Sequence, residues 1–198
     1  QRLGVNVLFG ALLVVVLGSM AGEWLGIMGK LGRGTDLAFW FGTQGLEYVD
    51  LGRFFQIGLF IGLLLWFGLM ARAMWPALRR SAKANKVLAT AEAPLAAGSQ
   101  RSLIAMLLVS CLAIAGFYGA AFGIGSSTHL SIVEYWRWWV VHLWVEGFFE
   151  VFATAALAFI FARMGLIPQR HAAQAVIASS ALYLVGGIPG TFHHLYFS

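Results

Sequence analysis

The residues with the most chemical potential in this chain lie in two short runs. His142, Glu146 and Glu150 recur at i, i+4 and i+8 inside an apolar stretch, and His193 and His194 stand side by side near the end. On an α-helix, at about 100° per residue, the first three fan across roughly 80° of one face, each a turn below the last. Their flanks are Val, Phe, Ala and Leu, which offer no countercharge. Ionisable groups in such surroundings are expensive, so each is a candidate for function; the plain alternative is polar residues satisfied by neighbouring helices. Adjacent histidines on a helix point about 100° apart, so they share a metal ion only if it sits between their directions. The competing reading is an interfacial pair snorkelling toward water. Three imidazole nitrogens and one carboxylate oxygen suit a first-row transition metal, and the hard carboxylate favours non-haem iron over copper. Ligand types alone leave copper and zinc open. A zinc protease is disfavoured, because no H-E-x-x-H run is present.

Composition says what kind of element must hold these side chains. Of 198 residues, 60% are hydrophobic and only 11% charged, with a mean hydropathy of +0.81. A soluble domain carries about 25% charged and roughly 45–50% apolar residues. The expected fold class is therefore all-α integral membrane, and soluble enzymes and DNA-binding modules are excluded. A spanning helix needs about 20 mostly apolar residues. Five stretches qualify, at about 5–28, 54–77, 103–123, 132–164 and 172–198, with a cytoplasmic linker at about 79–101. Together they make one membrane segment over residues 1–198. Frequent glycine (24 residues) suits close helix packing in lipid.

The net charge of +5 reads as a topology signal facing anionic lipid, and no nucleic-acid partner is expected. Arg72, Arg79, Arg80, Lys83, Lys86 and Arg101 cluster between the second and third spans, Arg163, Arg170 and His171 between the fourth and fifth, and Arg2 precedes the first. The positive-inside rule makes these regions cytoplasmic. The first-to-second link balances Lys30 and Arg33 against Asp36, Glu47 and Asp50, and the link 125–131 has no Lys or Arg. Both face outward, so the five helices alternate without contradiction. Cys111, the single cysteine, allows neither an internal disulfide nor a thiolate cluster. Gln1 in place of an initiator Met, and a finish at Ser198 inside an apolar segment, read as an excerpt of a longer polypeptide.

Depth then relates the two runs. Trp136, Trp138 and Trp139 mark the outer interface, and His142 follows about one turn below them. From Ala172 inside, His193 lies roughly 30 Å further along its helix, in the outer leaflet. Two antiparallel helices thus bring three imidazoles to a similar level, with Glu146 a turn deeper. Pro189, with Gly186, Gly187 and Gly190, should kink or loosen the helix just before the pair.

These residues resemble a known family. The stretch Val140-Val-His142-Leu-Trp-Val-Glu146-Gly-Phe-Phe-Glu150 is similar to the H-L-W-V-E-G-x-x-E signature of the nitric oxide reductase large subunit, in the haem-copper oxidase superfamily. The ending Gly187-Ile-Pro-Gly-Thr-Phe-His193-His194 resembles its paired-histidine helix. The run Glu47-Tyr-Val-Asp-Leu-Gly-Arg-Phe-Phe-Gln resembles the quinol-dependent, single-chain branch. The resemblance covers the whole chain, as the third through seventh helices of a larger bundle.

The resemblance implies an internal segment of an oxidoreductase that converts two NO to N2O and water with electrons from quinol, in denitrification. His142, His193 and His194 would be the imidazole ligands of the non-haem iron (FeB), and Glu146 its carboxylate ligand. Glu150 would be a second acidic group shaping charge or relaying protons. Glu47 resembles a glutamate that binds a calcium ion bridging haem propionates. Haem b and haem b3 would take their axial ligands from outside this segment. The implied partners are nitric oxide, quinol, lipid and the rest of the same polypeptide, and a homodimer is compatible with them. The implied location is the bacterial inner membrane, with the metal site towards the outer leaflet. In oxygen-reducing relatives a tyrosine cross-linked to the first histidine stands where Glu146 stands here, and no Tyr follows on that face. Two alternatives remain: an oxygen-reducing haem-copper oxidase, and a proton-coupled transporter whose His and Glu line a proton path. His129 and His171 fall in loops on opposite sides and read as ordinary solvated residues.

Overall fold

Inside a bilayer the backbone must satisfy its own polar groups, so long apolar stretches have one local solution, the helix. The computed structural model describes residues 2–46, 49–87, 93–190 and 192, with side chains described for all of these except 80–99, 145 and 146. The helices are α1 (Arg2–Ile27), the short α2 (Asp36–Phe41), α3 (Arg53–Val87) and α4 (Ala93–Tyr118), which a 3-10 turn closes at Gly119–Gly123. They continue with α5 (Leu130–Trp138), a π-helix (Trp139–Phe148), α6 (Phe149–Arg163) and α7 (Gln169–Gly190). Among the described residues the only β pairing is an isolated bridge between Thr43 and Leu51. The fold is an all-α membrane bundle. Among the described residues, five spans are long and apolar enough to cross: Arg2–Ile27, Arg53–Arg79, Gln100–Gly123, Leu130–Arg163 and Gln169–Gly190.

Residue type sets the helix ends. α1 stops at Gly29, whose φ of 71° is left-handed, with the Lys30 N–H donating to the Leu25 carbonyl at 2.9 Å. α6 ends the same way at Gly165 (φ 74°), with the Leu166 N–H donating to Phe161 O at 3.0 Å. Glycine takes this cap because it has no Cβ to clash there. The Thr35 hydroxyl accepts the Ala38 N–H to start α2, and His129 Nδ1 accepts the Ser131 N–H to start α5. The region 79–101, expected as a linker, is helical up to Val87 and again from Ala93; residues 88–92 lie outside those described. Its Ala, Lys and Arg are strong helix formers, which suits that extension.

α4 is the central element, packed against α3, α6, α7 and the π-helix, whereas α1 leans on α3 and α2. Of the membrane-spanning part of α4, 44% is buried, against 11% for those of α1 and α3. Two cores form along it. At the end expected to be cytoplasmic, Leu103 and Leu107 meet Ala155 and Ala158 of α6 and Ala172, Ala173 and Val176 of α7. At the opposite end Tyr118, Ala121 and Ile124 meet Val49, Val133 and Val140. Small residues at the first core let three backbones come close, as association in lipid requires.

Candidate functional site

The fourth span is not one regular helix. From Trp139 to Phe148 its backbone winds as a π-helix, and the Phe149 N–H still donates five residues back, to Trp144 O. Such i→i+5 winding is rare, usually confined to a single turn, and frequent at functional sites. It spans His142 and the backbone of Glu146; Glu150 follows in the first turn of α6. This corrects the single fan of three residues expected from α-helical spacing. Four residues carry an α-helix just past a full turn but leave a π-helix just short of one, so Glu146 is offset from His142 in the opposite sense. Residue type carries no mark of this winding.

Aromatic side chains from α4 hold the π-helix at both ends. Phe117 meets Trp139, its first residue, at 5.7 Å between ring centroids, and Phe148, its last, at 5.2 Å. Tyr118 meets Trp144 in the middle at 4.9 Å. Val140, Val141, Leu143 and Phe148 are buried, while His142 is half-buried. Glu150 is exposed on this chain. A carboxylate at membrane depth faces a bundle interior or a water-filled cavity rather than lipid.

Tyr183 of α7, which motif and spacing do not single out, reaches the same segment. Its hydroxyl donates to Leu143 O at 3.3 Å, and its ring meets Phe148 at 5.2 Å and 82°. The approach needs Gly147: a Cβ there would stand 1.9 Å from the tyrosine Cζ and hydroxyl. The pairing of a glycine in the H-L-W-V-E-G run with a lone tyrosine on the next span is the signal that could have found it.

The outer cap contains a second residue that charge counting misses. Arg53 is buried at the start of α3, between the rings of Phe39 (5.2 Å) and Phe122 (5.5 Å). Its Nη1 donates to Ala121 O at 3.2 Å and its Nη2 to Ile124 O. Buried Gln56 donates through Nε2 to Val49 O at 2.9 Å. Glu47, His193 and His194 lie outside the described residues, and Glu146 is placed by its backbone only. Among the described residues no group of three His, Cys, Asp or Glu is close enough to hold a metal ion. His129 and His171 are exposed.

A π-wound span bearing the histidine-glutamate run, inside a five-span bundle, invites comparison with known membrane enzymes. The family described as Cytochrome C and Quinol oxidase polypeptide I matches the chain over residues 1–198. The chain belongs to that family. It is therefore a multi-pass membrane protein of the haem-copper oxidase superfamily. A nitric oxide reductase subunit from Stutzerimonas stutzeri is 32% identical over 93 residues, 45% of this chain and 20% of that protein. The chain thus spans about a fifth of that relative's length. Within the family fold, the aromatic clamp on the π-helix gives the polar residues of the fourth span a fixed frame rather than a mobile loop.

Proposed function

We propose that this chain forms part of a membrane nitric oxide reductase driven by quinol and supplies the non-haem iron ligands of a haem b3/FeB centre. The observation that carries the reading is the π-helix over Trp139–Phe148, which sets His142 and Glu146 apart from regular helical geometry in a haem-copper superfamily chain. The partial similarity to the Stutzerimonas stutzeri nitric oxide reductase protein supports it. The donor types fit a hard first-row ion, and a half-buried His142 on a clamped segment is the kind of rigid mount that a metal site needs.

In this reading His142, His193 and His194 hold the iron by their imidazoles and Glu146 by its carboxylate. The iron would supply positive charge that polarises a bound nitrogen oxide. The chain's own residues do the rest. Glu146 offsets part of the local positive charge. Buried Val140, Val141 and Leu143 keep the surroundings apolar, which strengthens electrostatic effects there. An apolar site of this kind would hold two NO molecules at reacting distance and make their coupling nearly unimolecular. Two NO, two electrons and two protons give one N2O and one water, so protons must reach this depth. Glu150, exposed on α6, is the proposed carrier. Calcium at Glu47, quinol as donor and an inner-membrane location complete the proposal. Among the described residues on either side of 47–48, the Gln44 N–H donates to Asp50 O at 2.8 Å and the Val49 N–H to Leu46 O at 3.0 Å.

The second reading is an oxygen-reducing oxidase, which the family description itself names. Against it stands Glu146 in place of the cross-linked tyrosine. The deciding experiment uses the intact membrane protein: metal analysis, an optical spectrum and quinol-driven NO consumption. Non-haem iron with NO turnover supports the proposal. Copper with oxygen turnover supports the oxidase, and absence of b-type haem bands would leave a transporter.

A further inference from the structure

A π-helix of this length is poorly sustained by its own hydrogen bonds, since i→i+5 winding normally lasts one turn. Something outside it must hold it open. Phe117 and Tyr118 brace it from α4, but their contacts are ring contacts and do not select one backbone winding over another. Tyr183 differs, because its hydroxyl donates to a backbone carbonyl inside the segment, that of Leu143. Leu143 is fully buried, so its carbonyl finds no ready substitute in water.

The cavity for the phenol is cut into two helices. An added Cβ at Gly147 would meet Tyr183 Cζ and hydroxyl at 1.9 Å, and one at Gly187 would meet its Cε2 at 2.6 Å. Glycine inside a helix costs roughly 0.5–1 kcal/mol relative to alanine, so two glycines around one ring mark a contact maintained at some expense. The ring's edge-on contact with Phe148 fixes its other side. Leu143 directly follows His142 and Gly147 directly follows Glu146, so the phenol grips the backbone beside both.

We infer that Tyr183 is a positioning residue that locks the Leu143–Gly147 turn in its π winding and thereby fixes the backbone register from which His142 and Glu146 extend. The inference rests on the proposed metal site, because the winding matters only if those two side chains share a ligand. Without the phenol hydroxyl the turn is free to tighten toward α geometry, which changes the helical register between positions 142 and 146. Loss of a residue that orients metal ligands typically weakens metal affinity 10- to 100-fold.

The test uses the intact membrane protein with Tyr183→Phe, which keeps the ring and removes only the hydroxyl, and Gly147→Ala, which pushes the ring off the turn. The readouts are ferrous iron affinity by chelator competition and the Mössbauer spectrum of the 57Fe-loaded non-haem site. Both variants are expected to bind iron at least tenfold more weakly and to show altered quadrupole splitting, with haem bands unchanged. A purely structural role would lower the unfolding temperature while leaving the spectrum of the remaining iron as in the parent, and that outcome overturns the inference. So does parental affinity in Tyr183→Phe. His142→Ala separates the two readings: if it retains non-haem iron, the metal assignment itself falls. If it loses iron while Tyr183→Phe does not, only the role of Tyr183 falls.

Discussion

His142 sits half-buried between two buried aliphatic residues, Val141 and Leu143, which restrict the orientations its ring can take. His142→Ala is expected to lower non-haem iron to below a tenth of the parental content while leaving haem bands in place, as metal analysis beside an optical spectrum would read. Glu150 makes a different demand. It is exposed on this chain, one helix type away from the π turn, and is proposed to move protons rather than to hold metal. Glu150→Gln keeps the shape and removes the exchangeable charge, so iron should stay stoichiometric while NO turnover falls at least tenfold. Full turnover would remove the proton role; loss of iron would move Glu150 into the ligand set.

At the scale of elements, the spans were legible because hydropathy over about 20 residues reports directly on the solvent a helix must suit. The winding within the fourth span was not. Its residues are as apolar and as helix-compatible as their neighbours, and nothing in their types marks i→i+5 over i→i+4 bonding. Arg53 was hidden for a related reason. Counting Lys and Arg treats each as an orientation signal, yet its guanidinium bonds carbonyls 68 and 71 positions further along the chain. The histidine-glutamate run stands out in the sequence by residue type, whereas Tyr183, which bonds the Leu143 carbonyl, needed the partner glycine 36 positions away to acquire meaning. The α4 brace can be tested separately from that grip. Tyr118 is almost fully buried and packs at a tilt against Trp144, so Tyr118→Ala removes a large core side chain at about 3 kcal/mol or more. Tyr118→Phe keeps the ring contact and should cost far less. Equal thermal destabilisation by the two would show that the hydroxyl, not the ring, does the bracing.

For the whole molecule, the position of the proposed site relative to the membrane follows from which ends of the helices face the cytoplasm. The core of Leu103, Ala158 and Ala172 lies at the end flanked by Arg101, Arg163 and Arg170, and the core of Tyr118 and Ile124 lies at the end capped by Arg53. Arg53 does not contradict the charge rule, because it is buried and bonded to carbonyls rather than presented to lipid headgroups. Chemistry can read this orientation, since Cys111 is the single cysteine and is buried. In a Cys111→Ala background, Ser126→Cys and Arg170→Cys place one thiol at an exposed position on each side, in the 125–131 link and in the first turn of α7. In intact cells a membrane-impermeant maleimide should label the cysteine at position 126 and not the one at 170, which should react only after permeabilisation. The reverse pattern would invert the bundle. The π-helix, which begins only about fourteen residues after the 125–131 loop opens, would then lie in the cytoplasmic leaflet, and protons for Glu150 would have to come from the other side.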